Sequence, residues 1–311
     1  MKFSILIPAY KSVFLEECIQ SILDQTYNDF ELIIVDDASP EDLQRIVGQY
    51  SDSRIRFYRN NVNCGAINVV DNWNTCLGYA QGDYVICMGD DDKLLPNCLE
   101  EYAQLIDKYP GIGLLHGWTE IIGEDSIPYE LTTHRCERES AISLLWHRWN
   151  AYHLQFIGDF CFERKWLVSQ GGFYKLPLAW ASDDISAIIG ASKNGVVNTQ
   201  TVVFQYRRNR HTISNTGNSE IKMNALELER EWYDRFLKSH SYRRRTDSIY
   251  AKMISKELEY HFEKKKMTTI ASNLKNTSRF RIVYWWFNRK DDRIRIKTLI
   301  GAFALSINKS V

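Results

Sequence analysis

Three continuous apolar runs, each closed by a polar turn, do most to restrict what this chain can become. FSILIP (3–8), FELIIVDD (30–37) and DYVICMGDD (83–91) lack the polar–apolar alternation of a half-exposed strand, so each reads as a strand buried on both faces. Between them, apolar residues recur at helical spacing. Leu15, Cys18, Ile19, Ile22 and Leu23 mark a helix over 14–25. A second helix covers 40–50, with Ser39 as N-cap and Pro40 at its first position. A third covers 66–80. RIRFYRN (54–60) alternates as another strand, Pro96 opens a helix running to Lys108, and GIGLLHGW (111–118) makes a fifth strand. This β-α-β-α-β order predicts an α/β chain with an open, mostly parallel sheet flanked by helices.

Beyond residue 120 the pattern weakens until about 155. Residues 156–164 and 198–208 read as strands and 185–192 as a helix, and after Asn218 the chain turns helical and charged. The expected organisation is one domain over 1–217 (1–109 for a ligand at the strand ends, 110–217 for the opposite wall) and a helical, basic region over 218–311. The 39 basic and 39 acidic residues cancel, but unevenly. Residues 243–311 hold 17 Lys/Arg against 6 Asp/Glu, which leaves 22 against 33 in residues 1–242. An acidic body with a basic tail suits an anionic partner for the tail. FRIVYWWFNRK (280–290) and IKTLIGAFALSI (296–307) mix aromatics and aliphatics with Arg/Lys, as helices lying on an anionic membrane surface do. A helical hairpin packed on the rest of the chain, or a homodimer interface, has the same composition.

The seven cysteines form no CxxC pair and read as reduced core residues of a cytoplasmic protein, neither a disulfide frame nor a zinc site. No apolar window of about 18 residues predicts a membrane span, and the opening strand does not read as a leader peptide. PAYKSVF after the first strand has no glycine-rich loop to cradle a triphosphate. Gly111-Ile112-Gly113 opens a late strand and lacks the third glycine of a dinucleotide fingerprint. A nucleic-acid partner is not expected.

Ligands of open α/β sheets bind at the carboxyl ends of the strands. Those ends carry Pro8-Ala9-Tyr10, Asp36-Asp37-Ala38-Ser39 and Gly89-Asp90-Asp91-Asp92. Three adjacent carboxylates repel one another, and a cation relieves them. Oxygen ligands suit Mn²⁺ or Mg²⁺. The plainer alternative is a solvated acidic turn capping the next helix.

These segments, in their order and spacing, resemble the family 2 inverting glycosyltransferases of the GT-A fold. That family's pattern is a strand ending P-x-Y, a helix with S-I-L-x-Q-T, then F-E-L-I-I-V-D-D-x-S, N-x-G, A-x-G-x-Y and D-x-D-D-x-x-x-P. Here these read Pro8-Ala9-Tyr10, Ser21 to Thr26, Phe30 to Ser39, Asn63-Cys64-Gly65, Ala80 to Tyr84, and Gly89 to Pro96. The resemblance implies a Rossmann-like GT-A sheet and transfer of a hexosyl unit from a nucleotide-diphosphate sugar, UDP-sugar in the first place, to a hydroxyl. The acceptor would be a saccharide or lipid-linked saccharide in bacterial surface polysaccharide or glycolipid assembly, at the inner face of the cytoplasmic membrane. A non-catalytic nucleotide-sugar-binding scaffold on the same fold is the alternative.

The resemblance also implies roles. Pro8, Ala9 and Tyr10 would line the nucleotide, with the Tyr10 ring stacked on the base. Asp37, with Asp36 beside it, would accept the imino N–H of the base. Asp90 would lie near the ribose. Asp91 and Asp92 would hold the metal, because Gly89 stands where many relatives carry a carboxylate. Gly171-Gly172-Phe173 precedes Asp183-Asp184, the counterpart of an acidic pair whose second member is the catalytic base in relatives. Asp184 is the first choice, and Asp183 in place of the usual Glu leaves open which acid faces the acceptor. Their alternative is a helix start with Ser182 as N-cap. The stretch Tyr206 to Ser214 resembles Y-R-x-x-x-x-x-x-S, so His211 would complete the metal shell and Arg207 or Arg210 would offset the leaving-group charge. Trp149, Tyr152 and Trp180, with Trp146, would form a sugar platform or simply core.

Overall fold

The computed structural model describes residues 1–208, 218–239, 242, 244–290 and 293–307. They form two compact units, one of residues 1–175 with 181–211, the other of 176–180 with 212–311.

The first unit is built on one ten-stranded sheet. β1 (Phe3–Ala9), β2 (Phe30–Asp36), β3 (Ile55–Arg59) and β4 (Tyr84–Cys87) are parallel in the order β3-β2-β1-β4, with Ala9 opposite Asp36. Every residue of β2 is buried, and all of β1 except half-buried Pro8, as the unbroken apolar runs require. β5 (Lys93–Leu94), β6 (Leu114–Ile122), β7 (Pro128–Leu131), β8 (Arg138–Glu139), β9 (Phe160–Glu163) and β10 (Val196–Arg207) make the other half. There the sheet is mixed. β9 enters antiparallel between β4 and β6, β10 runs parallel to β6, and β5 closes the path antiparallel to β10. β7 pairs with β6, and β8 with β10.

Helices α1 (Leu15–Leu23), α2 (Leu43–Val47), α3 (Val69–Tyr79) and α4 (Cys98–Lys108) follow the strands of the first half. α1 buries Leu15, Cys18, Ile19 and Ile22, the stripe its spacing dictates. Asp42 rather than Ser39 caps α2, its carboxylate accepting from the Arg45 N–H at 3.1 Å. α5 (Ala141–Trp149), α6 (Arg164–Ser169) and α7 (Ser182–Ser192) complete the unit. α5 lies where the sequence pattern fades, and Ser140 caps it. The cysteines are all free, and five of the seven are buried.

The second unit is helical: a short 3-10 turn (Pro177–Ala179), α8 (Ser219–Ser239), α9 (Arg245–Asn276), α10 (Ile282–Asn288) and α11 (Ile296–Ile307). Its core holds Met223, Leu226, Tyr233, Phe262, Ile270, Leu274, Trp285 and Leu299. Lys265 donates to Glu229 at 2.6 Å, and buried Lys266 pairs with Glu227 and donates to the Arg293 carbonyl. α11 buries Thr298, Leu299, Ala302 and Ser306 and turns Ile296, Ile300, Phe303 and Ile307 outward. Among the described residues no helix is long and apolar enough to cross a membrane.

One buried charge ties the parallel half together. Glu31 on β2 accepts from the Ser4 hydroxyl (2.7 Å), the Gln81 N–H (2.6 Å) and Arg56 (3.0 Å). Burial works against its charge, but these donors outweigh it and hold its pKa below the usual value. Removing the acceptor leaves the buried Ser4 hydroxyl without its acceptor and costs the Gln81 N–H its bond, while partly exposed Arg56 keeps Tyr58 and the Tyr79 carbonyl. Glu31→Ala is expected to lower the free energy of chemical unfolding by about 3 kcal/mol, and Glu31→Gln by less, because the amide oxygen still accepts.

Candidate functional site

The carboxyl ends of β1, β2 and β4 bring together the residues singled out from sequence. Tyr10 is exposed just past β1. Its N–H and that of Lys11 both donate to Asp90 Oδ2 at 2.7 Å, so the first strand end and the acid triplet form one structure. Asp36 is fully buried, ion-paired with Arg59 and accepting from the Ser39 N–H at 2.7 Å. Asp37 accepts from the Asn60 amide (2.8 Å) and the Cys64 N–H (3.0 Å), while its carbonyl takes the Asn63 amide. The Asn-Cys-Gly segment thus wraps the end of β2.

The triplet lies just beyond β4. A Cβ placed on Gly89 would stand 2.8 Å from Asp91 Oδ1 and 3.1 Å from Asp92 Oδ2, so one oxygen of each acid converges over the glycine. Burial pushes Asp90 up to about 6 and Asp92 well above the carboxylate range, with the Asp91 charge raising both. Crowded, partly desolvated oxygens of this kind fit a hard divalent cation, which removes the repulsion.

Arg207, at the end of β10, is buried and braces this loop. Its N–H donates to Asp92 Oδ1 (2.9 Å) and its Nε to the Asp91 carbonyl (2.8 Å). Its Nη atoms reach the Gly123 carbonyl, the Ser126 hydroxyl and Glu17, and its guanidinium carbon lies 4.0 Å from the Phe14 ring centroid. The guanidinium proposed from sequence for the leaving group is therefore engaged inside the protein. Arg210 and His211 lie outside the described residues.

The second acid pair opens α7 after Ala181, which takes a left-handed φ of 63°. Asp184 Oδ1 accepts from Arg148 Nε and Gln155 Nε2, both at 2.8 Å. Burial, then the Asp184 charge, raises Asp183 to about 7. Tyr206 on β10 connects the two clusters. Its ring stacks on Phe156 at 3.6 Å. Burial first, then Asp92, Asp91 and Asp183, push its phenol up, so all three acids are within electrostatic reach of one ring.

Trp149 is half-buried at the end of α5 and Tyr152 is exposed just beyond it. Trp180 belongs to the second unit, where the Lys222 ammonium sits 4.8 Å from its ring centroid. Sequence reasoning missed Arg148 and Gln155, which hold Asp184, and Glu17, which holds Arg207. It also missed buried Asp159, which accepts from the Phe156 N–H at 3.0 Å and the Thr119 hydroxyl at 3.3 Å. No local pattern announces any of these four, since each acts across a tertiary contact.

A family model described as Glycosyl transferase family 2 matches residues 4–170, more than half of the chain. Among curated proteins, the Escherichia coli UDP-Glc:alpha-D-GlcNAc-diphosphoundecaprenol beta-1,3-glucosyltransferase WfgD is 32% identical over 149 residues, which cover 46% of this chain and 57% of that one. A Campylobacter jejuni GalNAc(5)-diNAcBac-PP-undecaprenol beta-1,3-glucosyltransferase is 32% identical over 145 residues, 46% of either chain. The match thus spans about half the length of these relatives. Among solved structures, S. aureus TarS 1-349 in complex with UDP-GlcNAc superposes with a TM-score of 0.69 at 16% identity, covering 98% of this chain and 90% of that one. At that identity the likeness shows the fold.

Buried Asp159 and half-buried Asp183 set a pH dependence. Burial raises Asp159 to about 8 and Asp183 to about 7, against about 3.9 for an unfolded aspartate. The folded chain holds these protons to higher pH than the unfolded chain does. That advantage is complete below the unfolded value and is lost as pH rises through 7 and 8. The ligand-free chain is expected to melt at lower temperature at pH 8.5 than at pH 5.5, and Asp159→Asn should flatten the upper part of that slope in a differential scanning measurement.

Proposed function

The chain belongs to glycosyl transferase family 2 and is a glycosyltransferase of GT-A type; from that premise we propose that it transfers a hexosyl unit from a UDP-sugar to an acceptor hydroxyl with inversion, assisted by Mn²⁺ or Mg²⁺. The observation that carries this reading is the convergence of one carboxylate oxygen each from Asp91 and Asp92 over Gly89 at the end of β4, near Tyr206, whose phenol is raised by burial first and then by the charges of Asp92, Asp91 and Asp183. A donor diphosphate held by the first cluster and a base from the second would then share one cleft.

In this reading Tyr10, exposed at the strand end, offers its ring to the nucleobase, and Asp37 and Asp36 shape the wall beside it. Asp91 and Asp92 would hold the cation, which when bound neutralises the diphosphate of the departing nucleotide. Asp184 takes the proton of the acceptor hydroxyl. That oxygen forms a bond to the anomeric carbon as the bond to the donor phosphate breaks, and UDP leaves with the electron pair. Both contacts from Arg148 and Gln155 fall on Oδ1, which fixes the plane of the carboxylate. Burial, then the Asp184 charge, raises Asp183 to about 7, so that acid takes up a proton near neutral pH beside the base. Arg207 serves by holding the metal loop. Arg210 and His211 keep the diphosphate role that the resemblance implies, and Trp149 and Tyr152 that of the acceptor platform.

The donor and acceptor named for the E. coli relative, UDP-Glc and a diphosphoundecaprenol-linked sugar, support a UDP-sugar and a lipid-linked acceptor here. The outward stripe Ile296, Ile300, Phe303 and Ile307, with exposed Phe280, Val283 and Phe287 among the tail's arginines and lysines, supports contact with an anionic membrane surface.

Asp184→Asn is expected to keep the thermal stabilisation given by UDP with Mn²⁺ and to lose transfer by about 10²–10⁴-fold. Transfer at the parental rate would remove Asp184 from the role of base, and Asp183→Asn, assayed beside it, should chiefly move the pH profile. Liposomes rich in anionic lipid should float the parental chain and release an Ile300→Glu/Phe303→Glu variant; equal flotation of the two would count against the membrane reading.

A further inference from the structure

Outside the two acid clusters, the described residues bring together one group of three metal-ligand side chains: Glu139, His147 and His153. We propose that these three form a second metal site, for a borderline transition ion of the zinc type, distinct from the oxygen cluster at Asp91–Asp92.

Local structure gathers them. Glu139 ends β8, directly before the Ser140 cap of α5. His147 is in the last turn of α5, and His153 follows four residues beyond its end. One potential ligand atom from each lies within 4.8 Å of the others, and the two imidazole rings stack with centroids 4.6 Å apart and planes 17° from parallel. Ligands of a filled tetrahedral site stand about 3.4 Å apart, given metal–ligand bonds near 2.1 Å. Filling the site therefore takes a turn of one ring about its χ2, which brings both lone pairs to one point, along with a shift of about an ångström.

Two further observations point to an ion. Glu139 Oε1 and His153 Nδ1 are buried, and among the described residues neither has a hydrogen-bond partner. Buried polar atoms are nearly always satisfied, so an unsatisfied atom on each of two residues of one cluster asks for a partner that the protein itself does not supply. The second observation is orientation. His147 Nδ1 lies 2.8 Å from the Ser143 carbonyl. Donation there sets the tautomer with the lone pair on Nε2, as outer-shell carbonyls do for metal-binding histidines. The Ser143 hydroxyl donates to Glu139 Oε2 at 2.8 Å and fixes that carboxylate as well. Two imidazoles and one carboxylate suit zinc, where an all-oxygen set suits Mg²⁺ or Mn²⁺.

The site has a bearing on catalysis, which rests on the function proposed above. His147 adjoins Arg148, and His153 lies two residues before Gln155, the two donors to Asp184 Oδ1. An ion here would clamp both supports of the base from outside the substrate cleft.

The test uses the full chain carrying Asp91→Ala and Asp92→Ala, so that the oxygen cluster is silent. After chelator treatment it is titrated with Co²⁺, read by visible d–d absorption, and with Zn²⁺, read by elemental analysis after dialysis. One ion per chain is expected, with loss of the band and of stoichiometric zinc in His153→Gln and again in half-buried His147→Gln; near-UV circular dichroism checks that each is folded. No cobalt band and no retained zinc in the starting chain would overturn the site and leave the buried atoms to water. Undiminished binding in both histidine variants would also overturn it. A UDP-dependent thermal shift of the parental chain, measured in parallel, separates this failure from failure of the donor reading.

Discussion

A sheet edge that collects aspartates must supply positive charge of its own, because buried like charges repel strongly where water is scarce. This chain does so with three arginines drawn from distant elements. Arg59 neutralises Asp36, Arg148 pairs with Asp184, and Arg207 pairs with Glu17 while its donors hold the Asp91 carbonyl. Arg207 matters most. Buried guanidinium is tolerated only when its fork of donors is satisfied, and here every partner lies on a segment that borders the acid triplet. The loop's shape is thus fixed from inside the protein.

Compensation is incomplete, and that has chemical meaning. Asp90, Asp92 and Asp183 all remain above the ordinary aspartate range. Perturbation by burial plus a neighbouring charge is characteristic of working sites. In the function proposed, a cation would relieve the first cluster, at the end of β4, and a proton the second, at the start of α7.

Much of this was legible before any coordinates. β1, β2 and β4 are buried on both faces, and such strands print unbroken apolar runs. The acids at 36–37 and 90–92 stand out because the runs end on them, and those at 183–184 through the family resemblance, behind Gly171-Gly172-Phe173. The antiparallel insertion of β9 was not legible, since four residues carry no record of their neighbours' direction. Nor were β7 and β8, which take their structure from β6 and β10. Arg207 was read as a ligand contact from the family's Y-R-x-x-x-x-x-x-S stretch; its burial depends on Glu17 and Phe14, which no local pattern connects to it. His147 and His153 were hidden in a stretch whose tryptophans and tyrosine drew attention to sugar stacking. They meet Glu139 only because α5 ends where it does.

The span of the Arg207 contacts sets an order of events during synthesis. The N–H that steadies Asp92 lies 115 residues further along the chain, and the guanidinium reaches back 190 residues to Glu17. At about 5–20 residues per second, a ribosome needs on the order of ten seconds to deliver that brace after the aspartates have emerged. Through that interval the parallel half can already pair its strands, and Asp90 can already accept from Tyr10 and Lys11, while Asp92 still lacks the arginine's N–H. Free Mn²⁺ or Mg²⁺ in the surrounding medium would then reach Asp91 and Asp92 before that arginine does.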